Sequence, residues 1–113
     1  MEKKTVLAQM ELPEGRNVMA HFQMRVVEGD SIVAKSNFHT VNFMPEDYDF
    51  DDYLNKINQD ITTRNGSDEP SFPWPPIPAE EWQRAVDVCN TVHTPEVKAA
   101  YQIWKSKAQS SSI

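Results

Sequence analysis

The first 45 residues alternate between apolar and polar positions, and the rest of the chain repeats at a helical period. From Lys4 to Leu12 one face reads Val6, Ala8, Met10, Leu12. Leu12-Pro13-Glu14-Gly15 then fits a turn, with proline second and glycine fourth. A second strand is predicted over 17–27, with Val18, Ala20, Phe22, Met24 and Val26 on one face. Its other face carries Met19, His21, Gln23, Arg25 and Val27. A third strand runs from Ser31 to about Phe43, with Ile32, Ala34, Ser36 and Phe38 on one face.

The register of the second hairpin follows from which residues need burial. A two-residue loop pairs His21 with Phe38 and Arg25 with Ala34, which mixes polar and apolar residues on both faces. A three-residue loop, Glu28-Gly29-Asp30, pairs Val26 with Ile32, Met24 with Ala34, Phe22 with Ser36 and Ala20 with Phe38. A one-residue slip exchanges the faces, so burial selects the second register. It also puts His21 and His39 together on the polar face.

In the second half, Phe50, Tyr53, Leu54, Ile57 and Ile61 fall at helical spacing. Asp49 is placed to cap that helix, with Asp51 and Asp52 in its first turn. Pro70 to Pro78 contains five prolines in nine residues and must be extended. Pro78 opens another helix, whose stripe is Trp82, Ala85, Val86, Cys89 and Val92. Thr94 caps a last helix that begins at Pro95 and carries Val97, Ala100, Tyr101 and Trp104. The predicted fold class is α+β: a three-stranded antiparallel β-meander followed by about three α-helices packed on one face. A single domain over 1–113 is expected. It divides into a meander (1–45), an acidic helix (46–64), a proline-rich bridge (65–78), a helical pair (79–108) and a frayed tail (109–113). The alternative is a hairpin module projecting from a separate helical pair.

Charge narrows the partners. The chain of 113 residues carries 17 acids against 11 lysines and arginines, a net charge of −6. The surplus lies in 46–70, with eight acids and two bases, and the flanking segments balance. No segment is basic enough to grip phosphates, so nucleic acid and anionic membrane surfaces are not expected partners. No apolar run reaches the length of a membrane span. The start, Met1 to Val6, has no apolar stretch, so secretion by a signal peptide is not expected.

Candidate chemistry is sparse. Asp47, Asp49 and Asp51 share the 1, 3, 5 spacing of a calcium loop. However, Asp52 stands where that loop needs glycine, and Asn58 where it needs glutamate. The run reads instead as an acidic helix start, with Asp47, Asp51 and Asp52 available as a contact rim. Two histidines without a third ligand do not make a metal site. Cys89 lies on an apolar stripe and has no visible base to activate it. No catalytic, cofactor-binding or metal-binding residue is therefore assigned, and the protein is expected not to be an enzyme.

The recognition candidates lie elsewhere. Phe72 and Trp74 in the proline run either bind a groove on a partner or, the favoured reading, fold back on this chain. The third strand offers Val33, Val41 and Phe43 on a mixed face with only Lys35 as a charged guard, and is expected to meet another subunit.

A short antiparallel sheet, then Asn37-Phe-His-Thr-Val-Asn-Phe-Met-Pro45, an acidic helix, Pro75-Pro-Ile-Pro78 and His93-Thr-Pro-Glu-Val-Lys-Ala-Ala-Tyr101 follow one another here. This layout is similar to that of small proteins encoded among the structural genes of tailed bacteriophages. The resemblance implies a virion, tail or tail-assembly component acting by protein–protein contact, with virion proteins or further copies of itself as partners. Its expected location is the virion or the host cytoplasm. The alternative function is an acidic adaptor or inhibitor that docks on a host protein or enzyme surface.

Overall fold

The computed structural model describes residues 1–67 and 71–110. Three strands, β1 (Glu2–Glu11), β2 (Val18–Glu28) and β3 (Ser31–Phe43), form an antiparallel sheet in the order β1-β2-β3. Three helices follow: α1 (Phe50–Thr63), α2 (Ala79–Val92) and α3 (Pro95–Ser110). This is the α+β arrangement expected. Helix α3 runs through 109–110, where a frayed tail was expected, and the remainder of that tail, 111–113, lies outside the described residues.

The helix starts form as their capping residues dictate. The Asp49 carboxylate accepts from the Asp52 N–H at 3.1 Å, and the Thr94 hydroxyl accepts from the Val97 N–H at 3.3 Å. Pro78 occupies the cap position of α2, so that helix begins at Ala79, one residue later than expected.

The sheet register differs from the sequence expectation. Val27 pairs with Ile32 and Glu28 with Ser31, so the hairpin loop is two residues, Gly29-Asp30. Gly29 takes φ +60°, which that short loop needs. Two irregularities then each insert one extra residue into β3, and Phe22 comes to face His39 while Ala20 faces Val41. Each bulge reverses which side chains point inward beyond it, so the two cancel, and the net reversal comes from the two-residue loop. Ile32 and Phe38 are therefore exposed, whereas Val41 and Phe43 are buried in the core. His21 and His39 fall on opposite faces, because His21 pairs with Thr40 and His39 with Phe22. A third irregularity, between Leu7 and Gln9, shifts β1 in the same way. Its inward face is Thr5 and Leu7, with Met10 partly buried, and not Val6, Ala8 and Leu12.

Bulging has a chemical counterpart on the outer face. Phe38 stacks on the His21 ring at 5.2 Å. The His21 Nε2–H donates to the Glu11 carboxylate at 2.6 Å, and Nδ1 lies 2.7 Å from the Thr40 hydroxyl. A polar ring on a helix-free face is thereby covered and hydrogen-bonded.

The core lies between the sheet and the helices. Phe43 is packed among the rings of Tyr48, Phe50, Tyr53 and Trp82, with centroids 5.3–5.9 Å apart. Phe22 stacks on Trp82 from the neighbouring strand at 6.1 Å. Residues 71–78 of the proline-rich bridge cross this layer as a strap. The Trp74 N–H donates to the Ile61 carbonyl at 2.8 Å, the Ile77 N–H to the Asn58 side chain at 2.8 Å, and the Thr5 hydroxyl to the Pro75 carbonyl at 2.6 Å. Phe72, Trp74 and Ile77 are all buried beneath it.

Helix α3 departs from this packing. None of its residues with a described side chain is buried. The radius of gyration is 16.6 Å, against roughly 13 Å for a compact chain of this length. The longest dimension is 52 Å, and the others are 30 and 24 Å.

Candidate surface along the last helix

Two ion pairs tie α3 to the body. The Lys98 ammonium pairs with the Asp47 carboxylate at 2.7 Å, and the Lys105 ammonium with Glu46 at 2.9 Å. These two acids immediately precede α1, so the acidic segment holds the last helix against the body. The Glu46 carboxylate, by its hydrogen bond and its charge, raises the pKa of Lys105 above the usual lysine value. Lys105 also lies 5.9 Å from the Tyr101 ring centre.

The other side of α3 is apolar and open. Trp104 is 63% exposed and Ile103 58%. Tyr101 and Trp104 stack at 5.9 Å, which orders the two rings as a pair. Val97, Ala100, Tyr101 and Trp104 form one wall of a groove of about 700 Å³. The opposing wall comes from Gly15, Arg16 and Asn17 in the β1–β2 turn and from Met44 and Pro45 after β3. That turn is Pro13–Arg16, one residue later than expected, closed by the Arg16 N–H to the Pro13 carbonyl at 3.1 Å. Arg16 itself takes φ +69°, in the left-handed region.

The structure disperses the residues singled out from sequence. Val33 is exposed on the β3 edge, close to Ile32. Val41 and Phe43 lie in the core and not on a mixed outer face, because the two-residue loop reverses the face of β3. Phe72 and Trp74 are buried and stack on each other at 4.8 Å. Asp51 and Asp52 occupy the first turn of α1, where Asp52 pairs with Lys56 at 3.0 Å. Asp47 alone of these residues comes to the α3 surface. Of the residues that build the groove, Val97, Ala100 and Trp104 belong to the helical stripe predicted from sequence, and Met44 and Pro45 carry no site reading there. The available signal was numerical: three helical stripes compete for one short sheet face.

Other reactive groups are occupied. Burial pushes the Cys89 thiol up to about 12, so it stays protonated at neutral pH. Burial likewise raises the phenols of Tyr48 and Tyr53. Among the described residues, no group of three His, Cys, Asp or Glu is placed to hold a metal ion, and no helix is long and apolar enough to cross a membrane. No protein-family model, curated protein or solved structure matches the chain.

Proposed function

We propose that this protein is a non-enzymatic binding module that docks on other protein through α3 and its groove. The observation that carries this reading is the open stripe of Val97, Ala100, Ile103 and Trp104 on a helix that projects from the core. An exposed tryptophan beside an apolar groove is the composition of an interface centre. The inert Cys89 thiol is consistent with a role without covalent chemistry.

Within that class, the sequence resemblance favours a bacteriophage virion, tail or tail-assembly component. The adaptor or inhibitor reading asks 46–52 to imitate a negatively charged ligand. It fits less well, because Glu46 and Asp47 are engaged with Lys105 and Lys98, Asp49 caps α1, and Asp52 pairs with Lys56. The test is quantitative mass spectrometry of particles made by the genome that encodes this chain. A photo-activatable cross-linker is placed at position 104 in the same preparation. The expected result is a fixed copy number per particle and cross-links from position 104 to protein. Absence from particles counts against the virion reading. A silent cross-linker at 104 in assembled particles counts against the surface.

A further inference from the structure

If the groove along α3 is a docking surface, as proposed above, its shape and charge also select an occupant. At 100° per residue, Ile103, Glu96, Ala100, Trp104 and Val97 share one sector of α3 about 120° wide. Lys98 and Lys105 point away from that sector, to Asp47 and Glu46. We propose that a second copy of this chain covers the sector, its α3 packed antiparallel on the first about a two-fold axis level with Gln102 along the helix.

Three features favour this occupant. The first is size. An axis near Gln102 sets Ala100 of each copy opposite Trp104 of the other, twice over. The smallest side chain of the stripe receives the largest, as ridge-into-groove packing requires. The second is charge along the helix. Antiparallel packing opposes the two helix dipoles. It also brings Glu96, in the first turn, against the last turn of the second copy, whose base is Lys107. The third is charge over the molecule. At −6 overall, two copies repel, but the three lysines and one glutamate of α3, together with the paired Asp47 and Glu46, sum to zero. An approach through α3 therefore joins the segments where that repulsion is least. A two-fold contact of this kind closes on itself.

The test is sedimentation equilibrium of the full chain from about 1 μM to 1 mM, for wild type and four variants. Trp104→Ala removes a side chain that the core does not use, and circular dichroism checks that the fold persists. Wild type is expected to show a concentration-dependent monomer–dimer equilibrium, and Trp104→Ala to weaken it by about 30-fold or more. Glu96→Lys and Lys107→Glu should each weaken the dimer, and the double exchange Glu96→Lys/Lys107→Glu should restore it to near the wild-type constant. A monomer at every concentration overturns the inference and assigns the groove to a chain of different sequence, leaving the binding-module reading to the particle experiment. A dimer indifferent to Trp104→Ala overturns the use of α3 in self-association. A double exchange no tighter than the single variants overturns the antiparallel arrangement.

Discussion

The His93 Nε2–H donates to the backbone carbonyl of Arg16 at 2.6 Å, joining two residues 77 positions apart. A carbonyl only accepts, so the tautomer of His93 is fixed by its partner. The bond ties the end of α2 to the β1–β2 turn, at the residue that holds φ +69° without being glycine. A left-handed residue with a Cβ costs on the order of 1–2 kcal/mol, and the tie helps to hold it there. His93→Ala should therefore destabilise by about 1–3 kcal/mol, and Arg16→Gly should stabilise by up to about 1 kcal/mol. Urea unfolding of both variants checks this. A neutral His93→Ala variant would show that the turn keeps its conformation unaided.

Phe22 and Phe38 separate the observed register from the one that the alternating pattern suggests. Phe22 is fully buried, whereas Phe38 is 47% exposed. Phe22→Ala should cost about 3–5 kcal/mol. Phe38→Ala should cost less than about 1.5 kcal/mol, through the loss of its stacking on His21. Equal losses in denaturant unfolding would contradict the bulged pairing of β3.

Trp74 is the centre of the strap. It is 3% exposed, stacks on Phe72, and donates from its indole N–H to the Ser71 hydroxyl at 3.0 Å. Trp74→Ala should lower stability by about 3–5 kcal/mol. Any binding that survives should track the fraction folded. A variant with an unchanged melting curve and abolished binding would reverse the assignment of this segment from packing to recognition.

Cys89 predicts the response to alkali. Its thiol has an ordinary value near 9.0 when the chain is unfolded and is pushed up to about 12 in the fold. Below pH 9 the thiol is protonated in both states and costs nothing. Above pH 9 the unfolded state loses the proton first, so stability falls progressively toward pH 12. The raised phenols of Tyr48 and Tyr53 act in the same direction at higher pH. Cys89→Ala should make the decline between pH 9 and 10.5 shallower, followed by unfolding at fixed urea. In the native protein at pH 8 the thiol should react with a disulfide reagent only as fast as the chain opens. Rapid labelling without unfolding would show the site to be accessible.

The helix starts were legible because their signals are local. Asp49 and Thr94 act within their own turn, and no distant residue overrides them. The inward face of β2 was legible because Val18, Ala20, Phe22 and Met24 alternate without interruption. The inward faces of β1 and β3 were not. The face of β3 turns on whether the loop holds two residues or three, and Glu28-Gly29-Asp30 accommodates either; a bulge needs no special residue, so nothing in Ile32 to Phe43 announces the two that follow. The same gap hid the candidate surface. The stripe Val97, Ala100, Tyr101, Trp104 is plain in the sequence, but whether a stripe is buried depends on how much sheet the other elements leave. The Phe43 ring cluster and the strap had already covered the inward face.

The strap also sets an order of events for the chain. The two hairpins of the sheet close short loops and can pair as soon as Phe43 is available. The aromatic layer cannot close then, because Thr5 waits for Pro75 and Arg16 waits for His93, 70 and 77 residues further on. Each of those closures carries the entropy of a long loop, and is repaid only when Phe72, Trp74 and Trp82 dock together. During synthesis the meander must therefore exist for a time with Phe22, Val41 and Phe43 uncovered. The ribosome should carry this protein as an aggregation-prone sheet until residues beyond α2 have emerged.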